Sequence, residues 1–302
     1  MVEATTSPLL PYKSLESPPV LPELGQLNRR AFNTILAGVF LGVLPTIARS
    51  CEAENPDPLG SLIIGGGGEL SPETHDRFID LAGGKNARIV VIPTASDYAN
   101  DPDQTVDMYW DGKERVASAV LLHTNSREKA NSPDFGRPLI EATGVWFSGG
   151  DQNRLADAYV DTLVEEEIGK VLRRGGIVGG TSAGAAILSP VMIAGGNPIP
   201  TLGKGFQFLK QFLERNCILD THFDTRNRIH RLLNALKEHP KSVGLGIYWG
   251  SALLINDSDV TVMGKNTMLC NAEGKSKEYV PGEKVDLSAL DTPPPTAIAS
   301  VP

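Results

Sequence analysis

Short apolar runs punctuate the middle of the chain, each closed by small or turn-forming residues and followed by a helical pattern. Ser61-Leu62-Ile63-Ile64 ends in Gly65-Gly66-Gly67-Gly68, and Arg88–Ile92 ends at Pro93-Thr94-Ala95-Ser96. Residues 117–122 form a third run and Gly144–Phe147 a fourth. Runs of roughly four to eight apolar residues suit strands buried on both faces. Ser71-Pro72-Glu73 carries a helix start, with proline early and an acid in the first turn. A long helix is predicted over 152–174, followed by a strand over 176–178. Parallel neighbours need crossovers, and crossover helices must cover the sheet, so this order predicts a parallel α/β sheet with helices on both faces. After His239 the pattern turns to strands joined by tight turns, at 252–255 and 260–262, which predicts an antiparallel extension at the sheet edge.

The two ends do not share this pattern. Residues 1–28 are rich in Pro, Ser and Thr, lack hydrophobic periodicity and read as unstructured. Arg29-Arg30 and the apolar run 31–44 then form a twin-arginine-type export signal. The run is shorter than the roughly 20 residues a membrane span needs. Cleavage is expected near Ala48 or Ala53, and Ala48-Arg49 makes a poor lipobox for Cys51. The alternatives are an amphipathic N-terminal helix or a retained membrane anchor. The expected organisation is therefore 1–53 as N-region and signal, 54–288 as one domain, and 289–302 as a Pro-rich tail. Export outside the cytoplasm is the expected localisation, with Arg29 and Arg30 read by the export machinery.

Composition narrows the function. A net charge of −8 with no basic stripe excludes nucleic acid as an expected partner. Cys51, Cys217 and Cys270 make no CxxC pair, so neither a disulfide framework nor a structural zinc site is expected. No dinucleotide or phosphate-loop fingerprint and no metal-ligand spacing occurs, and no cofactor or metal is expected.

Three clusters carry chemistry, each just after a strand, where ligands collect in such sheets. Gly180-Thr181-Ser182-Ala183-Gly184 fits G-x-S-x-G between a strand and a helix expected over 185–188. A nucleophile on that sharp turn needs small neighbours, and the Ala183 N–H at the helix start suits an oxyanion. Cys217-Ile218-Leu219 delivers Asp220-Thr221-His222, followed by Arg226, Arg228 and Arg231 on an expected helix. His222 is the best-placed base among the five histidines. The three arginines suit carboxylate binding, or simply a solvated face. Ser148-Gly149-Gly150-Asp151-Gln152 opens a helix, with its N–H groups toward a pocket and Asp151 as a helix cap.

Together, Ser148-Gly149-Gly150-Asp151-Gln152, Gly179-Gly180-Thr181-Ser182-Ala183-Gly184-Ala185 and Asp-x-His-Phe-x-x-Arg-x-Arg-x-x-Arg over 220–231 resemble the cyanophycinases, over roughly residues 60–265. These are dipeptidase E-like serine peptidases. The resemblance implies a flavodoxin-like core shared with class I glutamine amidotransferases, a three-layer sandwich around a mostly parallel sheet. It implies an exopeptidase acting on cyanophycin, a poly-aspartate whose β-carboxyls carry arginine, and releasing β-Asp-Arg. Ser182 would attack and His222 take its proton. Gly150 and Ala183 N–H groups would hold the oxyanion. Gln152, Asp220, Arg226, Arg228 and Arg231 would bind the substrate's carboxylates and guanidinium. The partner is thus a peptide or polypeptide, and the resemblance leaves a homodimer open.

Two positions depart from the family. Thr221 stands where glutamine is usual. Tyr248-Trp249 stands where the family typically has Asp-Glu, so Trp249 occupies the position of the triad acid. Tryptophan accepts no proton. The alternatives are an aspartyl or omega peptidase acting on another β-linked substrate, and a catalytically impaired peptide-binding homologue.

Overall fold

The computed structural model describes residues 60–291. Five strands build the parallel part of a seven-stranded sheet: β1 (Ser61–Gly65), β2 (Arg88–Ile92), β3 (Ser118–Leu121), β4 (Gly144–Phe147) and β5 (Ile177–Thr181). They run in the order β1-β5-β4-β2-β3. Side chains alternate faces along each strand. Ile63, Ile89, Val91 and Trp146 therefore meet Phe78 and Ile79 of the helix Pro72–Leu81. Leu62, Ile64, Val90, Ile92, Val145 and Phe147 face the other way, onto the helices Gln152–Tyr159 and Leu163–Arg173. Burial on both faces is what makes β1, β2, β4 and β5 legible as apolar runs, whereas the edge strand β3 is half-buried or exposed along its length. The Ser71 hydroxyl caps its helix by accepting the Thr74 N–H at 3.3 Å, as the Ser-Pro-Glu start predicts.

The chain then forms the hairpin β6 (Val191–Gly195) and β7 (Thr201–Lys204), and after it β8 (Cys217–Asp220) and β9 (Val243–Ile247). The expected antiparallel extension is present: β10 (Ala252–Asn256) joins β1 and β11 (Asp259–Met263) joins β10. The sequence reading did not separate out a second sheet. In it, β8 and β9 run parallel, and β12 (Thr267–Cys270) and β13 (Ser276–Tyr279) continue antiparallel.

Three expected helices differ in detail. The span 152–174 is two helices, because Asp161 takes a left-handed φ of 59° and Thr162 Oγ1 turns back to the Tyr159 carbonyl at 2.7 Å. The helix after the serine starts at once, as Ala183–Ala186 rather than over 185–188. Arg226 lies in a turn, Arg228 is the N-cap of the helix Ile229–Glu238, and only Arg231 is within that helix. Residues 289–291 are tied to the body, through Asn271 to the Leu290 carbonyl at 3.1 Å and Arg215 to Asp291 at 2.7 Å. The export-signal segment and the rest of the Pro-rich tail lie outside the described residues.

Candidate active site

The site forms where the two sheets meet. β5 ends at Thr181 and Ser182 sits on the turn with φ 55° and ψ −111°, a strained conformation for a residue with a side chain. The flanking glycines make that turn possible. A Cβ on Gly180 would lie 2.4 Å from the Gly184 carbonyl oxygen, and one on Gly184 would lie 2.3 Å from that of Phe147. The strand and helix approach closely enough to thrust the hydroxyl outward only because those Cβ atoms are missing.

His222 arrives from the second sheet, two residues beyond β8. Its N–H donates to the Gly66 carbonyl at 2.6 Å and its φ is 49°. Nε2 lies 2.6 Å from Ser182 Oγ, within proton-transfer reach. On the other side of the ring, Nδ1 is buried and has no hydrogen-bond partner among the described residues. Burial, with Arg226 and Arg228 close by, pulls the imidazole down to about 4, against the upward pull of Asp224. Trp249 stands beside the ring with centroids 5.1 Å apart. Its indole supplies no acceptor, so no carboxylate orients the imidazole from the triad-acid position.

The loop after β4 runs alongside the serine, and a Cβ on Gly149 would sit 3.5 Å from Ser182 Cβ. Among the described residues the N–H groups of Gly150 and Ala183 donate to no other group, so both are free for an incoming oxygen. Asp151 caps the following helix, accepting the Asn153 N–H at 2.9 Å. Gln152 Nε2 donates to the carbonyls of Ile193 (2.8 Å) and Ala194 (3.1 Å), which ties β6 to the site.

Of the charged residues singled out in the sequence, two are locked together. Arg231 grips both oxygens of the fully buried Asp220 carboxylate, through Nε at 2.9 Å and through Nη2. Arg228 donates to the Thr221 carbonyl at 2.6 Å and stands 3.5 Å from Asp220. Burial pushes the Asp220 carboxyl above its usual value, against the pull of Arg231 and Arg228. Burial and Arg231 together bring Arg228 down to about 10. Both Asp220 oxygens are taken by the chain's own guanidinium groups, so Asp220 bears on the site through Arg228 and Arg231. Arg226 differs from both. It is exposed, and its side chain makes no ion pair or hydrogen bond among the described residues.

Removing Arg231 strands a buried charge. Arg231→Met is expected to destabilise the fold by roughly 3–5 kcal/mol, read as a lowered urea midpoint. An unchanged midpoint would mean that Arg228 alone satisfies Asp220. One contributor lay unmarked in the sequence. Asp224 accepts the Trp249 backbone N–H at 2.8 Å, and its only sequence signal is a second acid in the Asp220–Arg231 stretch.

Residues 62–263 match peptidase family S51. The chain is 33% identical to the cyanophycinase of Geminocystis herdmanii, over 74% of this chain and 84% of that one. It is also 33% identical to that of a Nostoc species, over 73% and 76%. The fold is shared with a peptidase from an acI-B1 Actinobacterium, with a TM-score of 0.60 and 23% identity over 76% of this chain and 98% of that one. With the Ser–His pair formed and the family matched over most of its domain, the chain belongs to peptidase family S51 and is a serine-type peptidase.

Proposed function

We propose that the protein hydrolyses cyanophycin to β-Asp-Arg dipeptides. The observation that carries this reading is the 2.6 Å contact of Ser182 Oγ with His222 Nε2, in a chain related to cyanophycinases and beside an unpaired arginine. Ser182 Oγ attacks the scissile carbonyl as its proton passes to Nε2. The Gly150 and Ala183 N–H groups receive the oxyanion, and Nε2 returns the proton to the leaving amine. Water then cleaves the ester by the same route in reverse. Incubating the chain with insoluble cyanophycin and weighing the products by mass spectrometry tests this. Release of β-Asp-Arg supports it, and no release from unlabelled protein whose Ser182 reacts with an active-site probe in a separate aliquot sinks it.

Arg226 is the side chain free to meet a substrate carboxylate. Arg226→Ala is expected to raise KM by about tenfold to a hundredfold while kcat changes little, because a charge-assisted hydrogen bond is worth roughly 1.5–3 kcal/mol. Equal losses in both parameters would place Arg226 elsewhere in the reaction.

The imidazole sets the pH limit. A base held near 4 stays neutral above that pH and is protonated, hence unable to accept the serine proton, below it. The acid limb of kcat/KM is therefore expected at about pH 4, not near the ordinary histidine value of about 6.5. A limb near 6.5 would contradict that environment for His222.

A second reading, a peptide-binding homologue with little turnover, is favoured by one observation: among the described residues His222 Nδ1 has no acceptor. An aspartyl or omega peptidase acting on another β-linked substrate is separated from the first reading by a panel of β-Asp-Arg and α-Asp-X peptides. We also infer export through the Arg29-Arg30 segment. Retention of the chain in the cytoplasm after Arg29→Lys with Arg30→Lys supports it, and undiminished export of that variant counts against it.

A further inference from the structure

We propose that Trp249, seated on Gly68 and anchored by Asp224, is the positioning residue for His222, fixing the imidazole that the family's acid would otherwise orient. This rests on the reading of Ser182 and His222 as nucleophile and base.

The glycine loop after β1 is the seat for both rings. A Cβ on Gly67 would lie 2.3 Å from His222 Cε1, and one on Gly68 would lie 2.2 Å from Trp249 Cε2. Imidazole and indole thus lie directly on consecutive glycines, at φ of 100° and 75°. The backbone of this loop reaches both partners, with His222 N–H to the Gly66 carbonyl at 2.6 Å and Gly250 N–H to the Gly67 carbonyl at 2.8 Å. Phe223 and Tyr248, the neighbours of the two rings, stack at 6.1 Å with planes 22° apart. Asp224 closes the arrangement by accepting the Trp249 N–H at 2.8 Å. The result is an imidazole held between the Gly67 backbone and the indole, with Nε2 aimed at Ser182 and without any bond at Nδ1.

An indole does two things a bare wall would not. It keeps water from the ring, and its π-electrons favour the imidazolium that forms as the serine proton arrives, since the ring centroids are within about 6 Å. The charged groups bearing on that imidazolium are Arg226, Arg228 and Arg231, which oppose it, and Asp224, which favours it.

The test uses the full chain and a fluorophosphonate probe, whose phosphonylation of Ser182 with loss of fluoride reports nucleophile activation whatever the natural substrate. Trp249→Phe, Trp249→Leu, Asp224→Ala and Asp224→Asn are compared across pH, with the His222 ring nitrogens followed by NMR. Labelling is expected to fall in the order Trp, Phe, Leu. The Leu variant should be at least about tenfold slower, in keeping with the cost of misplacing a reacting group. Its His222 titration should move up toward the ordinary value, because burial is the largest cause of its lowering and water admitted to the ring outweighs the lost π contact. Asp224→Ala should slow labelling as Trp249→Leu does. Asp224→Asn, which keeps an oxygen for the Trp249 backbone N–H but loses the charge, should fall between the parent and Asp224→Ala.

A Leu variant that labels at the parent rate, with an unmoved His222 titration, overturns the proposal. A parent that labels at Ser182 but releases nothing from cyanophycin overturns the substrate reading and leaves this one standing. A parent that the probe does not label overturns both.

Discussion

Ser182→Ala is expected to lower kcat on cyanophycin by on the order of 10²- to 10⁴-fold, less than the roughly 10⁶-fold a complete triad would lose because the acid's share is already missing, and to leave only the residual rate that oxyanion donors and binding provide. Nucleophile and base act as one unit here. Nε2 has Ser182 Oγ as its hydrogen-bond partner at 2.6 Å, and the imidazole has no second bond to fall back on. His222→Ala should therefore cost nearly as much, and the double variant no more than either alone. Product counting by mass spectrometry over long incubations is the measurement. A double variant much slower than both singles would show that Ser182 and His222 act independently, which the geometry does not allow.

The second large effect runs the other way. Trp249→Glu is expected to raise kcat by on the order of 10²-fold or more, bounded by the roughly 10⁴-fold that loss of a triad acid costs elsewhere. The reason is the tautomer. With its proton on Nδ1 the ring is ready to accept from Ser182, but that N–H is buried and unpaired, at a cost of roughly 1–3 kcal/mol. With its proton on Nε2 the ring donates to Ser182 Oγ, and only the Nδ1 lone pair goes unmet. The resting histidine therefore favours the tautomer that cannot act as base. A carboxylate at 249 accepts the Nδ1–H, selects the productive tautomer and stabilises the imidazolium. Steady-state kinetics with ring-nitrogen NMR reads both at once. A gain in rate without a change of tautomer would assign the effect to charge alone. No gain would show that the indole already supplies what this site needs.

Much of the protein is legible from the residues alone. β2 and β4 have the expected bounds because burial on both faces leaves an unbroken apolar run with polar or turn residues at each end. The helix start at Ser71-Pro72 is legible because capping is a local event. Ser182 and His222 are legible for a related reason. A nucleophile elbow needs glycine on either side, and a strand-end histidine follows a recognisable apolar run.

Other features were decided only by the fold. The break at 160–162 has neither Gly nor Pro to mark it, yet Asp161 turns left-handed between the helices Gln152–Tyr159 and Leu163–Arg173. β8 and β9 look like any other strands in sequence, and their place in a second sheet is set by pairing with β12. Asp220 and Arg231 read as binding residues, yet the chain spends both on one buried pair, leaving Arg226 open. The residue types of the site are thus written locally, in turns and strand ends. The partner that each of them keeps is chosen by segments far apart in the chain, because only folding brings Gly67, Gly68, Asp224 and Trp249 around one imidazole.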